Sequence, residues 1–198
     1  MTAAWLARRL WTDISEPSSG RGATFALFSW RSERRGIRIA PALQRAQSDG
    51  LIGLRVFRRE GIAASSGRYV LVSMADGSDE PHLVDEMVRL AEGGADVVAA
   101  SRYMAGGRQI GGPRFKALLS RIAGLSLHHV AGVRTHDATN NFKLYSRRFL
   151  DEVTIESRAG FELALELTVK ATIGRRLVAE VPTTWRDRTS GTSNFNLR

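Results

Sequence analysis

Hydrophobic and polar positions alternate only weakly up to about residue 60 and fall into a regular pattern beyond Gly67. Tyr69–Met74 (YVLVSM) is a continuous apolar run of strand length, as in a strand buried on both faces. The polar loop MADGSDEP follows. Pro81–Glu92 places Leu83, Val84, Met87, Val88 and Leu90 on a helical face, opens on proline and stops at Gly93-Gly94. Asp96–Ser101 (DVVAAS) predicts a second buried strand. Arg114–Val130 predicts a helix, with apolar residues at 115, 118, 119, 122, 125 and 127. Asn141–Tyr145 is short and extended, Gly160–Ile173 is an amphipathic helix, and Arg176–Trp185 is a strand with Pro182 near its end. Gly106–Gly112 reads as a mobile glycine-rich loop, and Arg186–Arg198 as a polar tail rich in glycine and serine. Strands alternating with helices predict an α/β fold with a mainly parallel sheet. Ligands of such sheets sit at the carboxyl ends of the strands, here the MADGSDEP loop and the loop at Arg102.

The chain divides near residue 60. Residues 1–60 hold 11 Arg, no Lys, five acids and three of the four Trp. Within them Thr24–Trp30 predicts a strand, Ile39–Gln47 a short helix, Leu54–Arg58 a strand and Glu16–Gly22 a loop. The expected organisation is an atypical Arg-rich segment, 1–60, and a core, 61–198. The first segment is expected to pack loosely and to leave a strand edge of the core unpaired.

Composition narrows the chemistry. With 198 residues, 43% hydrophobic and 25% charged, the chain is of ordinary globular make-up. The absence of cysteine excludes a disulfide framework, a thiolate zinc site and a cysteine nucleophile. Four scattered histidines do not suggest a His-rich metal site. Net charge is +9 (29 minus 20), and all but three of the 29 cations are arginine. Arginine forks suit phosphates and carboxylates, although a GC-rich genome would also favour arginine over lysine. No apolar run approaches the roughly 20 residues of a spanning helix, and the N-terminus lacks the layout of a signal peptide. Nucleophile-elbow, Walker A, G-x-G-x-x-G and RNA-recognition motifs are not found.

Four constellations remain. Asp76 and Asp79, after a buried strand, could hold Mg²⁺ or Mn²⁺ and through it a diphosphate; the alternative is an Asx turn followed by a helix N-terminus, whose dipole Asp79 and Glu80 favour. Arg102, followed by Tyr103 and a glycine-rich loop leading to Arg114, suits a phosphate clamp or mere surface charge. Trp185–Asn194 (WRDRTSGTSN), with Arg188, Gly191 and Ser193, suits a loop closing over an anion, or a solvated tail. Asp137–Phe142 (DATNNF) precedes Glu162 and Glu166, one helical turn apart; Glu166 can pair with Lys170.

Taken in order, GRYVLVSMADGSDEPHLVDEMV, ADVVAASRYMAGG, THDATNNFKLYSRRFL, GFELALEL and VAEVPTTWRDRTSGTSNF resemble the GT-A glycosyltransferases of family 2, in particular the dolichyl- or polyprenyl-phosphate mannosyltransferase branch. The resemblance covers roughly residues 61–196. It implies a GT-A-like core and inverting transfer of a hexose from a nucleotide-sugar to a polyprenyl or dolichyl phosphate, or a related acceptor. The family's D-x-D motif falls on Met74-Ala75-Asp76, with Asp79 on the acidic position downstream, so Mg²⁺ or Mn²⁺ would rest on Asp76 and Asp79. Arg102 matches the S-R-Y arginine and Arg114 a second arginine near the acceptor phosphate. Arg188, Gly191 and Ser193 match the acceptor loop R-x-x-G-x-S, with Asn194 in place of its lysine. Asn140-Asn141-Phe142 stands where Ser-Gly-Phe is usual.

On this resemblance Asp76, Arg102 and Arg188 carry catalysis. A lipid-phosphate acceptor is already an anion and needs no base; a hydroxyl acceptor would need a carboxylate, for which Glu162 and Asp137 are the candidates. The implied partners are a nucleotide-sugar, a glycosyl acceptor and a membrane surface touched peripherally, with no nucleic acid, in a cytoplasmic protein at the inner membrane face. The P-x-Y-N-E and D-D-G-S motifs that bind base and ribose are not visible in residues 1–60, which read as a truncated, rearranged or frameshifted nucleotide half; the family's C-terminal membrane segment is likewise not seen. The alternative is an inactive remnant whose basic surface binds anionic lipid or nucleic acid.

Overall fold

The computed structural model describes residues 25–30, 38–39, 62–63, 65, 67–74, 78–112, 114–157 and 162–186. In chain order the elements are β1 (Phe25–Trp30), β2 (Arg38–Ile39), β3 (Tyr69–Met74), a 3₁₀ turn (Pro81–Leu83) running into α1 (Val84–Glu92), β4 (Val97–Ser101), β5 (Arg108–Ile110), α2 (Arg114–His129), β6 (Lys143–Ser146), α3 (Arg147–Glu152), α4 (Glu162–Ile173), β7 (Val178–Pro182) and β8 (Thr184–Arg186).

The main sheet has six strands in the order β2-β1-β3-β6-β4-β7, and β5 pairs with β8 in a separate ribbon. β3 and β4 are continuous apolar runs because both faces of the sheet are covered. Tyr69 and Leu71 of β3 face a cluster with Val84, Met87, Val88 and Ala91 of α1. Val70 and Val72, one residue out of phase, face Phe149 and Leu150 of α3 and Leu163, Leu167 and Ala171 of α4. The result is an α/β sandwich of three layers, as the strand–helix alternation predicts.

Strand direction corrects one expectation: the sheet is mixed, not mainly parallel. β6 lies between β3 and β4 and is antiparallel to both, and β4–β7 is the parallel pair of the main sheet among the described strands. β3, β4 and β7 do run the same way, as their helical crossovers require, but β6 separates the first two. Their carboxyl ends therefore still open on one side. β1 pairs antiparallel with β3 along its whole length, from Phe25↔Met74 to Trp30↔Tyr69. The strand expected at Thr24–Trp30 is present, and residues of the first segment thus pair with a strand of the core, whereas an unpaired core edge was expected. Ile39 lies in β2 instead of opening a helix; 40–47, and the strand expected at Leu54–Arg58, lie outside the described residues.

Three further elements depart from the local pattern. The glycine-rich loop 106–112 contains β5, held in parallel register by β8 (Arg108↔Thr184, Ile110↔Arg186). The single strand expected over 176–185 is two, because the chain leaves β4 after Pro182 to join β5. α3 is a helix capped by Ser146, whose Oγ accepts from the Phe149 N–H at 3.2 Å and donates to Asp96 at 2.6 Å.

Candidate functional site

The site is built where β3, β4 and the β5–β8 ribbon meet. Asp79, buried beyond the carboxyl end of β3, accepts a hydrogen bond from Ser73 Oγ at 2.9 Å. The same loop is sewn to β8: the Thr184 N–H donates to Glu80 Oε2 at 2.6 Å and the Arg186 N–H to the Ser78 carbonyl at 3.3 Å. β8 thus ends, at Arg186, beside Ser78 and Glu80. Asp76, Arg188, Gly191 and Ser193 lie outside the described residues.

At the end of β4, Arg102 and Asp137 form the central pair. Arg102 Nε donates to Asp137 Oδ2 at 2.7 Å and Nη2 to Oδ1 at 2.9 Å, while the Arg102 backbone N–H also reaches Oδ2 at 3.1 Å. Nη2 further reaches Ser120 Oγ and Thr139 Oγ1, each at 3.3 Å. Among the described residues Nη1 has no protein partner, so the side-on pairing leaves one edge of the fork for a ligand. Burial works against the charge of both groups, but their mutual hydrogen bonds outweigh it. Arg102 is pushed up, with a further contribution from Asp79, and Asp137 is held below the ordinary carboxylate range.

The turn bearing Asp137 is itself over-determined. Asp137 Oδ1 accepts from the Thr139 hydroxyl and the Asn140 N–H, both at 3.2 Å, and Asn140 Nδ2 donates to the Ala100 carbonyl at 2.8 Å. On its other side Glu180 accepts from the Thr135 hydroxyl, from the His136 N–H at 2.6 Å and from His136 Nδ1 at 2.7 Å.

Arg102 and Tyr103 open on a cleft of ≈ 660 Å³ whose walls also include Arg108, Gln109, Leu118 and Arg121. Tyr103 Oη donates to Gln109 at 3.2 Å, and the Arg102 guanidinium lies 4.8 Å from the Tyr103 ring centroid. No carboxylate lines the cleft among the described residues. Arg114 is the first residue of α2, at the entrance to the same helix. Gly107 permits the close turn beneath the cleft: a Cβ there would stand 2.4 Å from the Ser101 carbonyl oxygen.

The outer wall is α2. Phe115, Leu118, Leu119 and Ile122, at the i, i+3, i+4, i+7 spacing of one face, are 66, 54, 41 and 52% exposed. No acid occurs between Asp96 and Asp137, a stretch that carries Arg102, Arg108, Arg114, Lys116, Arg121 and Arg134. No described helix is long and apolar enough to cross a membrane.

A family model described as "Glycosyl transferase family 2" matches residues 46–154, more than half of the chain. The chain belongs to glycosyltransferase family 2. The family match begins inside the Arg-rich segment, ahead of the boundary expected at residue 61, and it does not favour the inactive-remnant reading. Among curated proteins, the chain is 32% identical over 133 residues to a polyprenol monophosphomannose synthase of Mycolicibacterium smegmatis, covering 66% of this chain and 50% of that protein. It is 33% identical over 162 residues to an undecaprenyl-phosphate mannosyltransferase of Micrococcus luteus, covering 78% of this chain and 64% of that one. The chain thus spans about half to under two thirds of the length of these two relatives.

Within this family-2 core, Asp79, Arg102 and Asp137 come together, and β8 is tied to the loop of Asp79 through Ser78 and Glu80. Glu162 is exposed in the first turn of α4 and is not among the residues that line the cleft. Glu166 does pair with Lys170, at 2.7 Å. Glu180 and Lys143 were not singled out from the sequence, and Glu80 only as an acid at a helix start. Lys143 carried a signal that was legible, a lone cation in the run FKLY; the two glutamates find partners about 45 and 104 residues away, which no local pattern shows.

Proposed function

We propose that this chain transfers a hexose, mannose by analogy with the named relatives, from a nucleotide-sugar to a polyprenyl phosphate, with inversion. The observation that supports it is the Nη1 edge of Arg102, without a partner among the described residues, beside a cleft that no described carboxylate lines and that is walled by a helix with an exposed apolar face. That combination suits an anionic headgroup on a long apolar tail.

In this reading Arg102, Arg114 and Arg188 bind the acceptor phosphate, and Gly191 and Ser193 belong to the loop that closes over it. A phosphate oxygen forms the new bond to the sugar's C1 as the bond from C1 to the nucleotide diphosphate breaks, the electron pair leaving on the diphosphate. The attacking oxygen is already an anion, so no general base is needed. Asp137 therefore orients Arg102 and does not serve as a base, being buried with both oxygens on Arg102; with a phosphate acceptor Glu162 has no proton to take either.

Asp76 and Asp79 would hold a divalent cation, Mg²⁺ or Mn²⁺, since a buried carboxylate in a strand-end loop offers the hard oxygen donors such ions take. When bound, the ion neutralises charge on the leaving diphosphate. Asp76→Asn should abolish metal-dependent nucleotide binding, and Asp79→Asn weaken it less.

The exposed face of α2, flanked by cations, lies against an anionic membrane surface at the cytoplasmic side and admits the prenyl tail to the cleft from the bilayer. The test is transfer of labelled mannose from GDP-mannose, with other nucleotide-hexoses as further arms, to undecaprenyl phosphate in anionic vesicles with Mg²⁺ or Mn²⁺. Lipid-linked label that disappears on Arg102→Ala supports the reading. Absence of transfer with every donor, in the presence of metal and vesicles, would contradict it.

A further inference from the structure

Lys143 opens β6, paired between Val72 of β3 and Ala99 of β4, and is completely buried. A strand position flanked on both sides is ordinarily filled by an apolar residue, because an ammonium loses its hydration there. Lys143 is instead turned under the loop that leads into its own strand. Its Nζ donates to the backbone carbonyls of Asp137 and Ala138, each at 3.0 Å, and to that of Asn140. Three carbonyls match the three protons of an ammonium, whereas a neutral amine would set its lone pair against one of them.

Those carbonyls belong to the turn whose side chains hold Arg102: Asp137 supplies the two-point contact, Thr139 a third acceptor, and Asn140 ties the turn to β4. We propose that Lys143 is the positioning residue for Arg102: its ammonium fixes the 137–140 turn so that the guanidinium presents Nη1 to the cleft. The charged groups that act on it are Asp137 and Glu180, which favour the ammonium, and Arg102, which opposes it; burial dominates and pushes Lys143 down to about 8. The ammonium therefore titrates just above neutrality, and the arrangement loosens as pH rises through that value. The inference rests on reading Arg102 as a phosphate ligand for its consequence, though not for its geometry.

The test follows the Arg102 Nε–H resonance in the ¹⁵N-labelled full chain, assigned by its loss in Arg102→Lys. In the wild type it should shift with a midpoint near pH 8. In Lys143→Met it should be displaced or broadened at pH 7, while amides of β3 and β4 keep their positions. Lys143→Arg, which stays charged, should restore the pH 7 position and remove the titration. An Arg102 resonance unchanged in Lys143→Met overturns the proposal. If that variant does not fold, a wild-type resonance that ignores pH 7–9 overturns it equally.

Affinity for a ten-carbon prenyl phosphate supplies the functional arm, since a phosphomonoester's second pKa of about 6 leaves it dianionic throughout this range. It should fall about tenfold in Lys143→Met, a loss typical of a mispositioned charge-assisted contact, and Lys143→Met should cost nothing further in an Arg102→Gln background. A wild-type chain whose Arg102 responds to Lys143 but which binds no prenyl phosphate would defeat the reading of the cleft and leave the positioning role standing. Equal, additive losses in the two backgrounds would show Lys143 acting on general stability and not through Arg102.

Discussion

The two walls of the cleft are built on opposite principles. On the sheet side, Arg102 is fixed by a carboxylate that is itself held by the backbone of a turn, and among the described residues every donor of Arg102 but Nη1 reaches that buried carboxylate. On the helix side, α2 leaves four large apolar side chains in solvent, spaced by the helical repeat and interspersed with cations. A locked guanidinium recognises one charged group in one orientation, with no reorganisation at the moment of binding. An apolar helical face recognises only the presence of hydrocarbon. The division suits a ligand whose head must be placed to within a fraction of an ångström while its tail is long and featureless.

If this contrast is right, damage to the sheet wall should cost stability and damage to the helix wall should not. The largest effect is expected from Asp137→Asn. It leaves Arg102 buried without its counter-charge, and loss of one partner of a buried pair costs about 3–5 kcal/mol. Urea denaturation of the full chain measures it; a loss below about 1 kcal/mol would mean the turn is not the anchor described.

A smaller loss is expected at Glu166, which does not line the cleft and holds Glu156, Ser157 and Lys170. Burial acts to raise its pKa, but hydrogen bonds from Lys170, from Ser157 and from the Glu156 N–H outweigh it and hold the group at about 2. A folded pKa below the unfolded one stabilises fully above the ordinary carboxylate range. The contribution is then lost as pH falls from there through about 2. Glu166→Gln should cost about 1–3 kcal/mol at pH 7, and the difference between wild type and variant in urea titrations should vanish toward pH 2.

How far the two walls could be read from the sequence also differs. α2 was legible in outline because its apolar residues recur at helical spacing, but the spacing did not tell whether that face is covered. Periodicity shows that a face is apolar, not what covers it. β3, β4, α1 and α4 were legible because burial on both faces of the sheet writes uninterrupted apolar runs. β5 and β8 were not, since Arg108–Ile110 has no strand pattern of its own and is held by partners some 76 residues later. α3 has a serine cap, but its six residues are too few for a period to emerge. Of the sheet wall, Arg102 stood out by its place after a strand. Its dependence on Asp137 and Lys143 did not, because a turn 35 residues away leaves no trace in the local sequence.

The smallest effect on folding is expected from the helix wall. Leu118→Ser or Ile122→Ser removes a side chain already more than half exposed, and surface changes of this kind stay within about 0.5 kcal/mol. Binding to anionic vesicles should nevertheless weaken, by about 1–2 kcal/mol for each large apolar side chain withdrawn from the lipid, and sedimentation with phosphatidylglycerol vesicles reads this directly. A loss of folding stability comparable to that of Asp137→Asn would mean that the face packs against protein.

The most direct measurement of the central claim compares a prenyl phosphate with the matching prenyl alcohol, by calorimetry on the wild-type chain and on Arg102→Ala. The phosphate should bind, the alcohol should bind at least tenfold more weakly, and Arg102→Ala should remove most of the preference, about 1.5–3 kcal/mol for a lost charge-assisted contact. Equal affinity for phosphate and alcohol, or a preference that survives Arg102→Ala, would contradict it.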